Sequence, residues 1–152
     1  MNIPKAITIA AVAVCASLAG EQPVPAAIQF KLEKLPFHLE SSQTPARNAP
    51  ESMAGGVAVF DYNGDGKPDI FFTNGADIAT LKKTSAKYSN RLFRNDGNGV
   101  FTDVTAQAGL AGTGFDIGAA VGDYDNDGHP DLFVTGVHGN TLYRNNGNGT
   151  FT

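Results

Sequence analysis

Apolar and polar residues alternate in short runs from Met53 onward, and the runs occur twice in the same order. Gly55-Gly-Val-Ala-Val-Phe60 leads into a polar nine-residue stretch, and Ile70-Phe-Phe-Thr73 leaves it. Arg91-Leu-Phe-Arg94 and Val100-Phe-Thr-Asp-Val-Thr105 follow. Further along, Gly118-Ala-Ala-Val-Gly122, Leu132-Phe-Val-Thr135, Thr141-Leu-Tyr-Arg144 and Thr150-Phe-Thr152 repeat the series. Runs this short, rich in Val, Phe and Thr and bounded by Gly, Asn and Asp, predict β-strands rather than helices. The polar stretches start 62 residues apart (123 − 61), whereas Arg144 lies 50 residues beyond Arg94 (144 − 94), so the first copy carries a 12-residue insertion between Asn74 and Asn90. Four short antiparallel strands per copy at such a period predict an all-β fold of β-propeller blades. The first blade is placed at 53–110 and a second at 111–152.

Turn chemistry agrees. Asn95-Asp-Gly-Asn-Gly99 and Asn145-Asn-Gly-Asn-Gly149 join the third and fourth strands of each copy, where Asp-Gly and Asn-Gly tolerate the positive φ of tight hairpins. Phe101 and Phe151, next to these turns, are expected to pack between blades. The second copy stops at Thr152, the counterpart of Thr102, without an equivalent of Asp103-Val-Thr105. One blade and most of a second leave apolar faces without neighbours, so the chain reads as the N-terminal fragment of a longer protein.

The N-terminal third differs. Met1-Asn-Ile-Pro-Lys5 precedes an apolar stretch from Ala6 to Ala19, with small residues permitting cleavage before Gly20. This predicts a signal peptide at 1–19 and an exported, periplasmic or surface location. About 14 apolar residues are too few to span a bilayer, so no membrane span is expected after cleavage. Cys15, the one cysteine, follows the bulky Val14, which speaks against lipidation and leaves the mature chain without a disulfide. Residues 20–52, spotted with Pro23, Pro25, Pro36, Pro45 and Pro50, read as a linker with one candidate strand near Pro36–Glu40. The formal charge of −4 and the lack of a basic face exclude nucleic acid as a partner.

The polar stretches carry the chemistry. Asp61-Tyr-Asn-Gly-Asp-Gly-Lys-Pro-Asp69 and Asp123-Tyr-Asp-Asn-Asp-Gly-His-Pro-Asp131 place oxygen-bearing side chains at positions one, three, five and nine, with Gly at six. Hard oxygen donors in a ring suit Ca²⁺, and so many carboxylates within nine residues repel one another unless a cation neutralises them. The expected ligands are Asp61, Asn63, Asp65, the Lys67 carbonyl and Asp69 in one loop. In the other they are Asp123, Asp125, Asp127, the His129 carbonyl and Asp131. Mg²⁺ and Zn²⁺ fit less well, the first demanding a more rigid octahedron and the second preferring nitrogen or sulfur. An EF-hand is excluded because position twelve is Phe72 or Val134 rather than Glu. The alternative is a polar turn in which the Asp side chains only bond backbone amides. With four carboxylates against three, the second loop is expected to bind the more tightly.

Together, the segments Gly55–Ile70 and Gly122–Leu132 resemble the FG-GAP/VCBS repeats of integrin-α-like propellers. Asn90–Thr105 followed by Ala108-Gly-Leu110 is similar, more narrowly, to secreted proteins related to cartilage acidic protein, which often carry an ASPIC/UnbV module. The resemblance implies a seven-bladed, Ca²⁺-stabilised propeller that is exported and noncatalytic, used for adhesion or binding of an extracellular protein or glycan. Remaining blades of the parent chain would be its nearest partners. The insertion, with Lys82, Lys83, Lys87 and Tyr88, offers an anion-recognition loop, with an ordinary solvated loop as the plainer reading. The competing class is a Ca²⁺-dependent propeller enzyme such as a polysaccharide lyase or hydrolase. The scattered His38, His129 and His138 and the lack of a nucleophile–base pair give that class little support.

Overall fold

Two antiparallel sheets account for the chain from Val57 to Tyr143. A computed structural model describes residues 28–152, so the expected signal peptide at 1–19 lies outside the described residues. Residues Glu33–Thr152 cluster as one unit. Of the preceding residues, 28–32 are described and contain no helix or strand. No helix among the described residues is long and apolar enough to cross a membrane.

The first sheet runs in the order β1 (Val57–Phe60), β2 (Asp69–Phe72), β3 (Arg91–Gly97) and β4 (Val100–Asp103), each strand antiparallel to the next. The second sheet contains β5 (Asp116–Gly122), β6 (Asp131–Gly136) and β7 (Gly139–Tyr143). The last segment adds only an isolated bridge between Asn145 and Phe151. This is the expected arrangement of propeller blades, one four-stranded and one three-stranded, with no closed barrel.

Alternation along each strand decides which side chains enter the core. Register pairs Ala58 with Phe71, and Phe71 with Leu92, on one face of the first sheet; all three are buried. Val57 and Val59 point the other way and are exposed. In the second sheet, Leu132 and Val134 supply the covering side chains, and Phe151 joins them. Phe151 stands edge-on to Phe60 (6.5 Å between centroids) and stacks near Tyr62 (6.4 Å). The expectation that Phe151 packs between blades is met, whereas Phe101 stays half-buried and outside this cluster. The backbones themselves approach closely where the sheets meet. A Cβ on Gly56 would lie 2.6 Å from the Gly118 Cα, so any side chain there would push the sheets apart.

The second sheet shows water the face that the first one hides. By repeat position, Tyr62, Phe71 and Leu92 correspond to Tyr124, Phe133 and Leu142. The former are 6%, 0% and 0% exposed, the latter 57%, 40% and 45%.

Two further expectations need correction. No strand forms at 36–40. The Asn74 side chain takes over that segment's backbone groups instead, accepting from the Glu40 amide (2.7 Å) and donating to the His38 carbonyl (3.3 Å). Phe37 then stacks on Phe72 at 4.6 Å. The segment closes with a one-turn helix, α1 (Ala49–Met53), whose buried Glu51 accepts hydrogen bonds from the backbone and side chains of Thr44 and Asn48. These bonds, the Thr44 amide first, lower the Glu51 pKa. The second correction concerns the fourth strand, expected to reach Thr105. It ends at Asp103, because the Asp103 carboxylate takes the Thr105 amide (3.0 Å) and a short helix, α2 (Thr105–Ala108), follows.

Candidate metal centre

Each acidic loop spans the turn between the first two strands of its sheet: β1 to β2, and β5 to β6. The opening aspartate organises the turn in both. Asp61 accepts hydrogen bonds from the amides of Gly64 (2.8 Å), Asp65 (3.1 Å) and Gly66 (2.7 Å). Asp123 does the same for Asp127 (3.1 Å) and Gly128 (2.9 Å). Gly66 and Gly128 sit at φ of +81° and +87°, a left-handed turn that glycine adopts without strain.

The closing aspartates are the buried members. Asp69 and Asp131 are 0% and 1% exposed. Asp69 accepts from the Tyr62 amide (3.1 Å) and the Asn95 amide (2.7 Å), and Asp131 from the Tyr124 amide (3.0 Å) and the Asn145 amide (2.7 Å). Burial pushes the Asp69 pKa up, against the pull of its two amide donors. Each closing carboxylate thus ties its loop to the end of its sheet's third strand.

Asp123, Asp125 and Asp131 each bring one carboxylate oxygen within 4.8 Å of the other two, the spacing of ligands around one cation. Asp127 stands outside this trio; it accepts from the His129 amide (2.9 Å). In the first loop, position three is Asn63, whose amide oxygen accepts from Asp65 N (3.2 Å) and whose Nδ2 donates to Asp65 Oδ2 (3.3 Å). Asp65 also accepts from the Lys67 amide (2.9 Å) and ammonium (3.0 Å), and these bonds lower its pKa. At position seven, the backbone amides of Lys67 and His129 each donate to the fifth-position carboxylate of their loop, and Lys67 adds its side chain. An all-oxygen donor set on a glycine-permitted turn fits a hard cation such as Ca²⁺.

Sequence reasoning missed two participants. Arg144 donates from Nε to Asp125 (2.6 Å) and from Nη2 to Asp127 (2.6 Å), and this pairing holds the Asp125 carboxyl below its usual range. Its repeat counterpart Arg94 turns instead to Asp96 (2.7 Å). Asn145 is the second, and only the matching Arg-Asn pairs in the two copies hinted at either. Arg144 already supplies positive charge to these two carboxylates, and it would compete with any metal ion that bound there. Arg144→Gln is expected to raise the Ca²⁺ affinity of the second loop about threefold, the scale of an exposed ion pair; an unchanged or weakened affinity by calorimetry would contradict this.

The insertion is not the free basic loop that the sequence suggested. The side chain of Lys83 is buried and donates to the carbonyls of Asn74 (2.7 Å), Gly75 (2.8 Å) and Tyr88 (2.8 Å), with Asp116 of β5 at 3.4 Å. Tyr88 is buried and accepts from Ser42 (3.0 Å). Lys87 pairs with Glu40 at 3.7 Å, and Lys82 is left exposed.

A sheet-to-sheet repeat with an acidic turn at the same place in each copy defines a blade-type β-repeat protein. The family model of the FG-GAP-like repeat matches residues 61–134 and 123–152, and the chain belongs to that family. No curated protein matches the chain.

Proposed function

We propose that the chain is an exported, noncatalytic Ca²⁺-binding segment of a β-propeller that serves adhesion or the binding of an extracellular protein or glycan. The observation that carries this reading is the convergence of Asp123, Asp125 and Asp131 at a turn whose backbone Asp123 and Asp127 already hold in shape. A cation there offsets the mutual repulsion of the carboxylates, and its role is to stiffen the loop edge of the blades. The similarity to proteins related to cartilage acidic protein belongs to the same proposal. The exposed Tyr124, Phe133 and Leu142 suit burial beneath a further blade of a longer parent chain.

Calorimetric titration of the protein with Ca²⁺, alongside Asp65→Ala and Asp125→Ala, tests the metal reading. Two binding events are expected, one lost in each variant, with the second loop the tighter. Absence of binding in a folded sample would reduce the loops to polar turns. Once the metal is established, binding of candidate protein or glycan ligands with and without chelator tests the adhesive role.

A further inference from the structure

The two acidic loops meet at one residue. Tyr62 lies inside the first loop, and its amide donates to the closing carboxylate Asp69 (3.1 Å). Its carbonyl accepts from Asn145 Nδ2 at 2.8 Å, across the boundary between the sheets. The amide of that same Asn145 donates to Asp131 (2.7 Å), the closing carboxylate of the second loop. Asn145 is fully buried, and its side chain is spent on three bonds: to Tyr62, to the Pro130 carbonyl (3.1 Å) and from the Gly147 amide (3.0 Å). The Tyr62 ring is held as well, stacked on Phe151, which bridges to Asn145.

The first copy provides an internal contrast. Asn95 makes the corresponding bonds within its own blade, to Asp69 from its amide, to the Pro68 carbonyl (3.1 Å) and from Gly97 (2.9 Å). Its side chain makes no bond to the second sheet among the described contacts. The cross-sheet arm is a property of Asn145.

From this arrangement we infer that the two loops bind cations cooperatively, with Asn145 as the positioning residue that couples them; this rests on the Ca²⁺ reading above. A cation in the second loop fixes Asp131, which orients the Asn145 backbone and so its side chain toward Tyr62. A cation in the first loop fixes Asp69, which orients Tyr62 from the other side. The element shared by both is the docked state of the two sheets: each cation favours it, and the second to bind finds it already formed. The coupling is reciprocal by necessity, and a single well-placed bond suggests a factor of about five.

The test compares Ca²⁺ affinity of the second loop in the full chain and in Asp65→Ala. The expected result is about fivefold weaker binding once the first loop is disabled. In an Asn145→Ala background the difference vanishes, whereas in Asn95→Ala it persists. Because Asn145→Ala risks misfolding, hydrogen exchange in Asp65→Ala supplies an independent measurement. Ca²⁺ binding at the second loop alone is expected to slow exchange of the Tyr62 amide. Equal affinities with unaltered Tyr62 exchange would overturn the coupling while leaving two cation sites intact. A folded protein with no Ca²⁺ response at all would overturn the metal reading together with the coupling.

Discussion

Asp131→Ala is expected to cost about 3 kcal/mol of stability even in the presence of a chelator, where no bound cation contributes. The Asp131 carboxylate is buried and is the acceptor for the amides of Tyr124 and Asn145. Removing it strands these donors, and a buried polar group left without a partner costs about 1–3 kcal/mol. Asp127→Ala makes the contrast. Its carboxylate is exposed and shares Arg144 with Asp125, so in chelator its loss should amount to roughly 1 kcal/mol or less. In Ca²⁺ both variants should fall further below the parent. Urea unfolding of the three proteins with and without Ca²⁺ reads all of this. If Asp131→Ala matched the parent in chelator, the closing aspartate would be a metal ligand alone and not part of the turn's internal framework.

Lys83→Met should be comparably damaging, at about 3 kcal/mol or more, for a different reason. Three carbonyls converge on the Lys83 ammonium, and Asp116 lies 3.4 Å away with Asn90 donating to it at 2.8 Å. Burial brings the Lys83 pKa down to about 8, with Asp116 pulling it back up, so the side chain remains mostly charged at neutral pH. Breaking a buried pair on one side leaves the partner charge uncompensated, which is the costly outcome. The double change Lys83→Met with Asp116→Asn removes that charge while keeping an acceptor for Asn90, and should be less destabilised than the two single losses added together. A double-mutant cycle by chemical denaturation checks it. Simple additivity would mean that Lys83 acts through the carbonyls alone.

The strands and the repeat were legible because they follow from alternation. Val-Ala-Val-Phe at 57–60 sends Ala58 and Phe60 inward and the valines outward, as a period of two requires. The acidic turns were legible because donor spacing and a glycine needing positive φ both belong to local chain geometry. The role of the closing aspartates was hidden, since their acceptors' work is done for the Asn95 and Asn145 amides, 26 and 14 residues away. Lys83 misled for a related reason. Its polarity and the length of the insertion suggested solvent, but its partners are mostly backbone carbonyls, which no side-chain pattern announces. The same holds at 36–40, where one asparagine, Asn74, replaced the partner strand that an extended segment would otherwise seek.

The way the two sheets meet has a consequence for symmetry. They join through unlike surfaces: the Phe71 side of the first receives the Leu132 side of the second, and the second then offers its own Phe71-like side, carrying Phe133. Such a head-to-tail contact has no two-fold axis and does not use itself up. Every unit that satisfies it recreates it, so growth is directional and ends only when the last unit reaches the first. Where the sequence of units does not return to its start, the same rule generates open polymers rather than discrete pairs.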